Sequence, residues 1–362
     1  MIAATASPLY VQIRASMQTV TLMRERCTPL QMSTPLREHE QRFADDRADL
    51  QPAAMAPKRR MLLIVNPHAA AVSDRLRNLV VHALKGRFEV DAIDTRARGH
   101  ATELCRELAR DDYDVVVALG GDGTVNEAAN GLRGSETPLC ALPGGSANVF
   151  AKMLGIPGEL VDATEHLLAM ADDWRVRRID LGVVNDRCFT FNSGVGLDAS
   201  VVQRVDARPQ LKARFGPYFF AWQALRSFAG RYLLRAPRME VDAGEGTLQG
   251  VTTIVQNGSP FTYFRDRPVR IAEGASLESG RLAGAVLHRA TPVGLSLIGL
   301  RSMLPRARVV GHRQVTGLQR LSGLTVRSAD GRKLPLQADG DFLGDVDEAR
   351  YSVLPSALNV VA

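Results

Sequence analysis

Residues 115–127 read Val-Val-Val-Ala-Leu-Gly-Gly-Asp-Gly-Thr-Val-Asn-Glu, and no other stretch of the 362-residue chain limits its fold so tightly. The apolar run 115–119 is what a strand buried in a parallel sheet needs. Gly120, Gly121 and Gly123 remove three Cβ atoms in four positions, so the backbone can bend sharply and a ligand can approach it closely. Thr124 and Glu127 have capping-box spacing, which predicts a helix from Thr124. Val125, Ala128, Ala129 and Leu132 give that helix one apolar face. Strand, glycine turn and helix N-terminus together make an anion site, because amides and the positive end of the dipole converge. Asp122 does not suit a bare phosphate. It repels one unless a divalent ion lies between them or it handles a proton, so the predicted ligand is a nucleotide with a metal.

The surrounding chain alternates strands with helices. Strands are predicted over 61–65, 88–94, 115–119 and 139–142. Helices are predicted after Ser73, over 100–110, from Thr124 and from Ser146. This rhythm implies a parallel sheet covered on both faces, with ligands beyond the carboxyl ends of its strands. Asn66, Thr95, the 120–126 loop and Ser146 all fall there. After about residue 175 the texture becomes short strands at 176–184, 188–192, 247–256, 269–272, 281–288, 309–315 and 324–327, with an Asn185-Asp186 hairpin turn. Helices interrupt them near 195–206 and 216–232. The apolar stretch 292–304, broken by Arg301, reads as a packed helix, since it falls short of the roughly 18 apolar residues of a spanning segment. Residues 1–58 lack periodicity and read as a disordered extension or as a product of start-site choice.

Cys27, Cys105, Cys140 and Cys188 lack metal or disulfide spacing and read as single thiols in a reducing cytosol. Charge is local. Residues 187–238 hold nine Lys/Arg against Asp198 and Asp206, a net +7 beside +6 for the whole chain. Tyr218, Phe219, Phe220 and Trp222 lie within that stretch. It fits either an anionic membrane surface or a solvated face over a helix core, and no nucleic-acid motif accompanies it.

The 120–126 block resembles the Gly-Gly-Asp-Gly-Thr signature of diacylglycerol, sphingosine and NAD kinases. Three further segments narrow the likeness: 61–70 (Met-Leu-Leu-Ile-Val-Asn-Pro-His-Ala-Ala), 142–152 (Leu-Pro-Gly-Gly-Ser-Ala-Asn-Val-Phe-Ala-Lys) and 194–199 (Gly-Val-Gly-Leu-Asp-Ala). Over residues 59–362 the chain resembles the bacterial diacylglycerol kinase, or lipid kinase, family. That resemblance implies a Rossmann-like α/β nucleotide-binding domain over 59–175 and an antiparallel β-sandwich lipid-binding domain over 176–338. Residues 339–362 would then return to the first domain. It also implies ATP-dependent phosphorylation of a diacylglycerol-like lipid to phosphatidic acid. Another lipid alcohol such as sphingosine, NAD, or a weakly active regulatory role are the alternatives. The implied setting is cytoplasmic and peripheral to a membrane, with a homodimer allowed.

The implied ATP contacts are Asn66, Pro67, Thr95, Gly120, Gly121, Asp122, Gly123, Thr124, Asn126, Gly145 and Ser146. Asn126 either touches the nucleotide or only extends the helix cap. Asp122 binds Mg²⁺, orients the acceptor, or only stabilises the turn by accepting from local amides. Asp339-Gly340-Asp341 matches the family's Asp-Gly-Glu block, where an acid is the general base on the lipid hydroxyl. Asp339 is preferred here, with Asp341, one methylene short of Glu, as alternative or partner. Two departures stand out. Ser279 occupies a position where relatives carry a metal-ligating Asp, with Arg281 two residues beyond, so no structural Mg²⁺ is expected in the 276–282 loop. Val149 stands where relatives often have Asp.

Overall fold

The computed structural model describes residues 58–108, 113–207, 236–244, 246–264, 266–304 and 306–362. The extension over residues 1–57 and the Tyr218–Trp222 aromatics with their helix therefore lie outside the described residues.

The first half alternates as the apolar runs dictate. Strand β1 (Arg59–Val65) is followed by α1 (Asp74–Lys85), β2 (Phe88–Asp94), α2 (His100–Glu107), β3 (Val115–Gly120), α3 (Asp122–Leu132) and β4 (Leu139–Pro143). Strands β2, β1, β3 and β4 lie side by side and parallel. Their Leu62–Ile64 and Val115–Leu119 centres are fully buried, as a sheet covered on both faces requires. Ser73 caps α1 by accepting from the Leu76 amide. Two expected helix starts are corrected. Helix α3 begins at Asp122 with Gly121 as cap, not at Thr124, and no side chain caps it. Ser146 caps nothing: α4 (Val149–Met153) starts after Asn148, whose carboxamide bonds back to Gly145 on both sides. Helix α5 (Leu160–Ala169) completes this half.

The second half opens with β5 (Val176–Val184) and β6 (Arg187–Phe189), joined through Asn185 at φ 51°. Then come β7 (Asn192–Gly196), α6 (Leu197–Asp206), β8 (Met239–Asp242), β9 (Thr247–Gly250), β10 (Thr252–Gln256) and the β11 (Thr262–Phe264)–β12 (Arg267–Val269) ribbon. The run 247–256 is thus two strands, broken at Val251, and the strand expected over 269–272 is not formed: the ribbon's second arm ends at Val269, and 270–272 are irregular. They are followed by β13 (Leu282–Leu287), α7 (Pro292–Met303), β14 (Val315–Leu321), β15 (Gly323–Ser328), β16 (Leu334–Ala338), β17 (Asp341–Val346) and β18 (Glu348–Val361). The strand expected over 309–315 is instead a 3₁₀ turn, Val309–Gly311, leading into β14. An antiparallel sheet ordered β14-β13-β10-β7-β16-β17 packs on β8, β15 and the first half of β18 around Val195, Val255, Val286, Val326 and Leu336. This is a β-sandwich.

Strand β18 belongs to both halves. Its first residues pair antiparallel with β15, and its last reach β4, where Val360 lies opposite Leu139 in parallel register. Strand β5 pairs along almost its whole length, with an irregularity between Leu354 and Leu358. Asp180 fastens that irregularity: its buried carboxylate accepts from the Ser356 and Gly280 amides. In the 276–282 loop the Ser279 hydroxyl lies 3.0 Å from the carbonyls of Ser276 and Arg281. Cys105, Cys140 and Cys188 are buried and unpaired, and burial pushes the Cys105 and Cys140 thiols up to about 12.

The packed-helix reading of 292–304 needs correction as well. The helix is present, but it is packed only in part: Leu295 and Ile298 are half-buried, while Val293, 71% exposed, and Leu300, 58% exposed, face outward with Leu297 and Met303. Two outcomes are expected. Asp180→Ala orphans two amides, at about 1–3 kcal/mol each, so its urea midpoint should fall with m unchanged. Asp198, at the start of α6, accepts from the Gln337 side chain at 2.6 Å. Desolvation pushes its carboxyl up to about 6, against the opposing hydrogen bond. The folded chain then holds this proton more tightly than the unfolded chain, so its contribution to stability falls as pH rises from about 4 to about 6. Asp198→Asn should gain stability relative to the parent across that window, with a constant difference above it, as read by urea unfolding at a series of pH values.

Candidate active site

Three parallel strands deliver their carboxyl ends to one place. The Asn66 amide continues the ladder from β1 to the Leu119 carbonyl of β3, and the Thr95 amide continues it from β2 to Val65. Asn66 then folds its side chain inward. Its Nδ2 donates to Thr124 Oγ1 at 3.1 Å, and its Oδ1 accepts from the His68 amide at 3.0 Å. Together with Gly123 and Thr124 at the start of α3, these residues wall an open cleft of about 290 Å³. Arg96, Arg98, Glu127 and Asp341 complete its lining. A helix N-terminus, two guanidinium groups and polar loop ends suit a polyphosphate.

Glu127 does not cap its own helix. Its buried carboxylate accepts from the Gly99 and Ala101 amides, while Thr102 Oγ1 donates to its carbonyl. Gly99, at φ 90°, is the cap position of α2 and has no side chain to do this work. Glu127 therefore fixes the 95–99 loop, and with it Arg96 and Arg98, against α3. The spacing of Thr124 and Glu127 is real, but tertiary packing has taken the acid elsewhere.

The two glycine loops touch backbone to backbone. The Gly144 amide donates to the Gly120 carbonyl at 2.8 Å. A Cβ on Gly145 would stand 2.6 Å from the Gly121 Cα, so any side chain there forces the loops apart. Asp122 spans the same junction, its Oδ1 accepting from the Phe150 amide at 3.0 Å. Gly120, Gly121 and Asp122 thus back the cleft and do not line it. Pro67 and Ser146 are exposed, and neither they nor Gly145 line it.

Asp339 and Asp341 part company. Asp339 and Gly340 are the central residues of the β16–β17 turn, at φ 48° and 80°, the left-handed pair that an Asp-Gly hairpin favours. The Asp339 carboxylate is 4% exposed and receives five donors. Thr190 gives its amide at 2.6 Å and its hydroxyl at 2.7 Å, Phe191 and Asn192 their amides at 3.0 Å, and Asn126 its Nδ2 at 2.7 Å. Burial pushes this carboxyl above its ordinary value, and the donors from Thr190, Phe191 and Asn192 oppose the shift. With every acceptor position filled and no opening to the cleft, Asp339 is a clamp. Asn126 belongs to the same clamp: it is 2% exposed, and its Oδ1 accepts from Arg187 at 2.6 Å. The expected roles of Asp339 as base and of Asn126 as nucleotide contact are both corrected by this burial.

Asp341, two residues on, does reach the cleft. Its carboxylate pairs with Arg98 at 2.9 Å and lies beside Gly123, where a Cβ would meet Oδ2 at 3.2 Å. Of the residues expected from sequence, the structure gathers Asn66, Thr95, Gly123, Thr124 and Asp341. Arg96, Arg98 and Glu127 were missed. Their available signal was a basic pair in the loop after β2, directly following Thr95.

Among the described residues no group of three or more His, Cys, Asp or Glu side chains forms a metal centre. One carboxylate together with substrate phosphates is nevertheless how Mg²⁺ is commonly held. Asp341, an oxygen donor beside the N-terminus of α3, fits that role; Asp122, tied to the Phe150 amide, fits it less well.

Residues 60–184 match the diacylglycerol kinase catalytic domain, and residues 192–362 match the YegS C-terminal NAD kinase beta sandwich-like domain. The chain is 28% identical over 291 residues to a diacylglycerol kinase of Staphylococcus aureus, covering 79% of this chain and 87% of that one. It is 26% identical to the diacylglycerol kinase of Staphylococcus saprophyticus, covering 79% and 90%. A crystal structure of a diacylglycerol kinase from Bacillus anthracis shares the fold with a TM-score of 0.61 at 19% identity, covering 84% of this chain and 96% of the other. With both halves matched in order, and with the glycine loops, the sandwich and the acidic turn at the cleft, the chain belongs to the diacylglycerol kinase family of lipid kinases.

Proposed function

We propose that this lipid kinase transfers the γ-phosphate of ATP to the hydroxyl of a diacylglycerol-like lipid, giving phosphatidic acid and ADP. The observation that carries the reading is the Asp341–Arg98 pair beside Gly123 at the N-terminus of α3. It supports the reading because transfer of a terminal phosphate to a hydroxyl calls for an acid and a cation side by side at an anion-binding helix end.

Phosphoryl transfer asks for position and charge neutralisation more than for covalent chemistry. The α3 N-terminus with Asn66, Thr95 and Thr124 would bind the nucleotide phosphates. Arg96 and Arg98 would neutralise charge that grows on the transferred group. Asp341 would accept the proton as the acceptor oxygen bonds to phosphorus and the bond to the leaving ADP oxygen breaks. Arg98, paired with Asp341, would hold its carboxylate in place. Mg²⁺, when bound with ATP, would add positive charge at the phosphates, and Asp341 is the side chain placed to help hold it. The acceptor is insoluble in water, so the reading implies a chain working at a membrane surface. Most of the basic stretch 187–238 lies outside the described residues, and among those described no helix is long and apolar enough to cross a membrane.

Transfer of labelled γ-phosphate from ATP to diacylglycerol, sphingosine, ceramide and NAD tests this directly. Diacylglycerol should be labelled and should require Mg²⁺; labelling of NAD alone would overturn the reading. Two variants separate the acids. Asp341→Asn should lower kcat about 10²–10⁴-fold, with the melting temperature unchanged. Asp339→Asn should instead lose stability, roughly 1–3 kcal/mol per donor left unmatched, with activity falling as the fold loosens. Should Asp341→Asn turn over at the parent rate, Asp341 has no part in proton transfer.

A further inference from the structure

Helix α7 buries Leu295 and Ile298 only in part and turns much of its apolar surface outward. Gly294 and Ser302 are its buried positions, packed toward Gln314 and the β12 arm, while Val293, Leu297, Leu300 and Leu304 form one exposed stripe at i, i+4, i+7 and i+11. With Met303 they make up half of the exposed large hydrophobics among the described residues. Water does not favour such an arrangement, and a contiguous apolar stripe calls for a cover.

The charge around it says what cover. Residues 279–329, which include β13, α7, β14 and β15, carry eight arginines and no acid. That is +8 in a chain of net +6, so the remainder sums to −2. Arg289, Arg306 and Arg313 are exposed around the ends of the helix, and Arg308 pairs with Glu273. An apolar helix face ringed by arginines is complementary to an anionic bilayer: the stripe enters the acyl boundary and the guanidinium groups meet phosphates. A second copy is a poor match, because a symmetric contact would set arginines against arginines. Residues 1–57 hold six basic and six acidic side chains and offer no opposing net charge.

We infer that the outer face of α7 docks this chain on an anionic lipid bilayer, an inference that rests on the lipid-kinase reading for its purpose but not for its test. The site is distinct from the 187–238 stretch. It is also connected to the candidate active site. The Ser302 carbonyl of α7 accepts from the Arg270 amide at the end of β12, and Asn192 joins the base of the β11–β12 ribbon, at the Phe261 carbonyl, to the Asp339 clamp. A bilayer held at α7 would thus lie at the outer end of a hydrogen-bonded path to the clamp.

The test is flotation of the full chain with mixed phosphatidylcholine–phosphatidylglycerol vesicles and with pure phosphatidylcholine vesicles, over an ionic-strength series. The parent should float with the anionic vesicles and release as salt rises. Leu297→Ser/Leu300→Ser and, separately, Arg306→Glu/Arg313→Glu should each weaken partitioning at least about tenfold. Melting temperatures should stay unchanged, and phosphorylation of a water-soluble short-chain diacylglycerol should match the parent, while phosphorylation of vesicle-embedded diacylglycerol falls. If either double variant floats like the parent, or the parent ignores anionic vesicles, the docking role is overturned. It is overturned equally if sedimentation equilibrium shows a parent dimer that Leu297→Ser/Leu300→Ser dissociates, since a second copy would then be the cover. Should the parent phosphorylate no lipid at all, the kinase reading fails, and flotation still decides the role of α7.

Discussion

One buried carboxylate holds the site together. Asp339 gathers donors from Asn126 on α3 and from three successive residues, Thr190 to Asn192, that lead into β7. Helix α3 carries the phosphate-facing end of the α/β half, and β7 is a central strand of the sandwich. Five hydrogen bonds to one side chain fix the angle at which the β16–β17 turn meets α3. Asp341 reaches the cleft because that turn is fixed. An ionised carboxylate is suited to this task, since both oxygens accept and neither must donate.

The same logic runs through the rest of the site, where acids serve as tethers more often than as reagents. Glu127 ties the 95–99 loop to α3, Asp122 ties one glycine loop to the other, and Asp180 ties the irregular middle of β18 to the 280 loop. Each receives backbone amides that would otherwise be buried without a partner. Asp341 differs in having a cation and open space in front of it. Exposure separates a group able to exchange a proton from one that cannot, and exposure is a property of the folded chain.

This explains how far the sequence could be read. The parallel strands were legible because burial on both faces leaves an unbroken apolar run, and the Ser73 cap because it acts within three residues. The Asp-Gly-Asp block was legible as a place, but not in the division of labour between its two acids, since both are Asp and only long-range packing separates them. The partnership of Arg98 with Asp341 joins residues far apart in the sequence, and no local pattern encodes it. The Thr124–Glu127 spacing pointed to a local cap that Gly99 and Ala101 claimed instead. For α7 the length and apolar content were legible, but not the exposure of one side, because large apolar residues stand both on the half-buried side, at Leu295 and Ile298, and on the outer one, at Val293, Leu297 and Leu300.

The division of β18 between the two halves of the molecule has a consequence for how the chain acquires its structure. Strand β4 finds its outer neighbour only in Val360, after the entire sandwich has been made. During synthesis the nucleotide-binding sheet therefore presents a bare parallel edge throughout production of the second half, and unpaired edges invite wrong partners. Completion of that sheet joins Leu139 to Val360 and is among the last contacts available in time. The fold thus gains a built-in order of assembly, in which the α/β half is sealed only once the sandwich half exists to supply the strand.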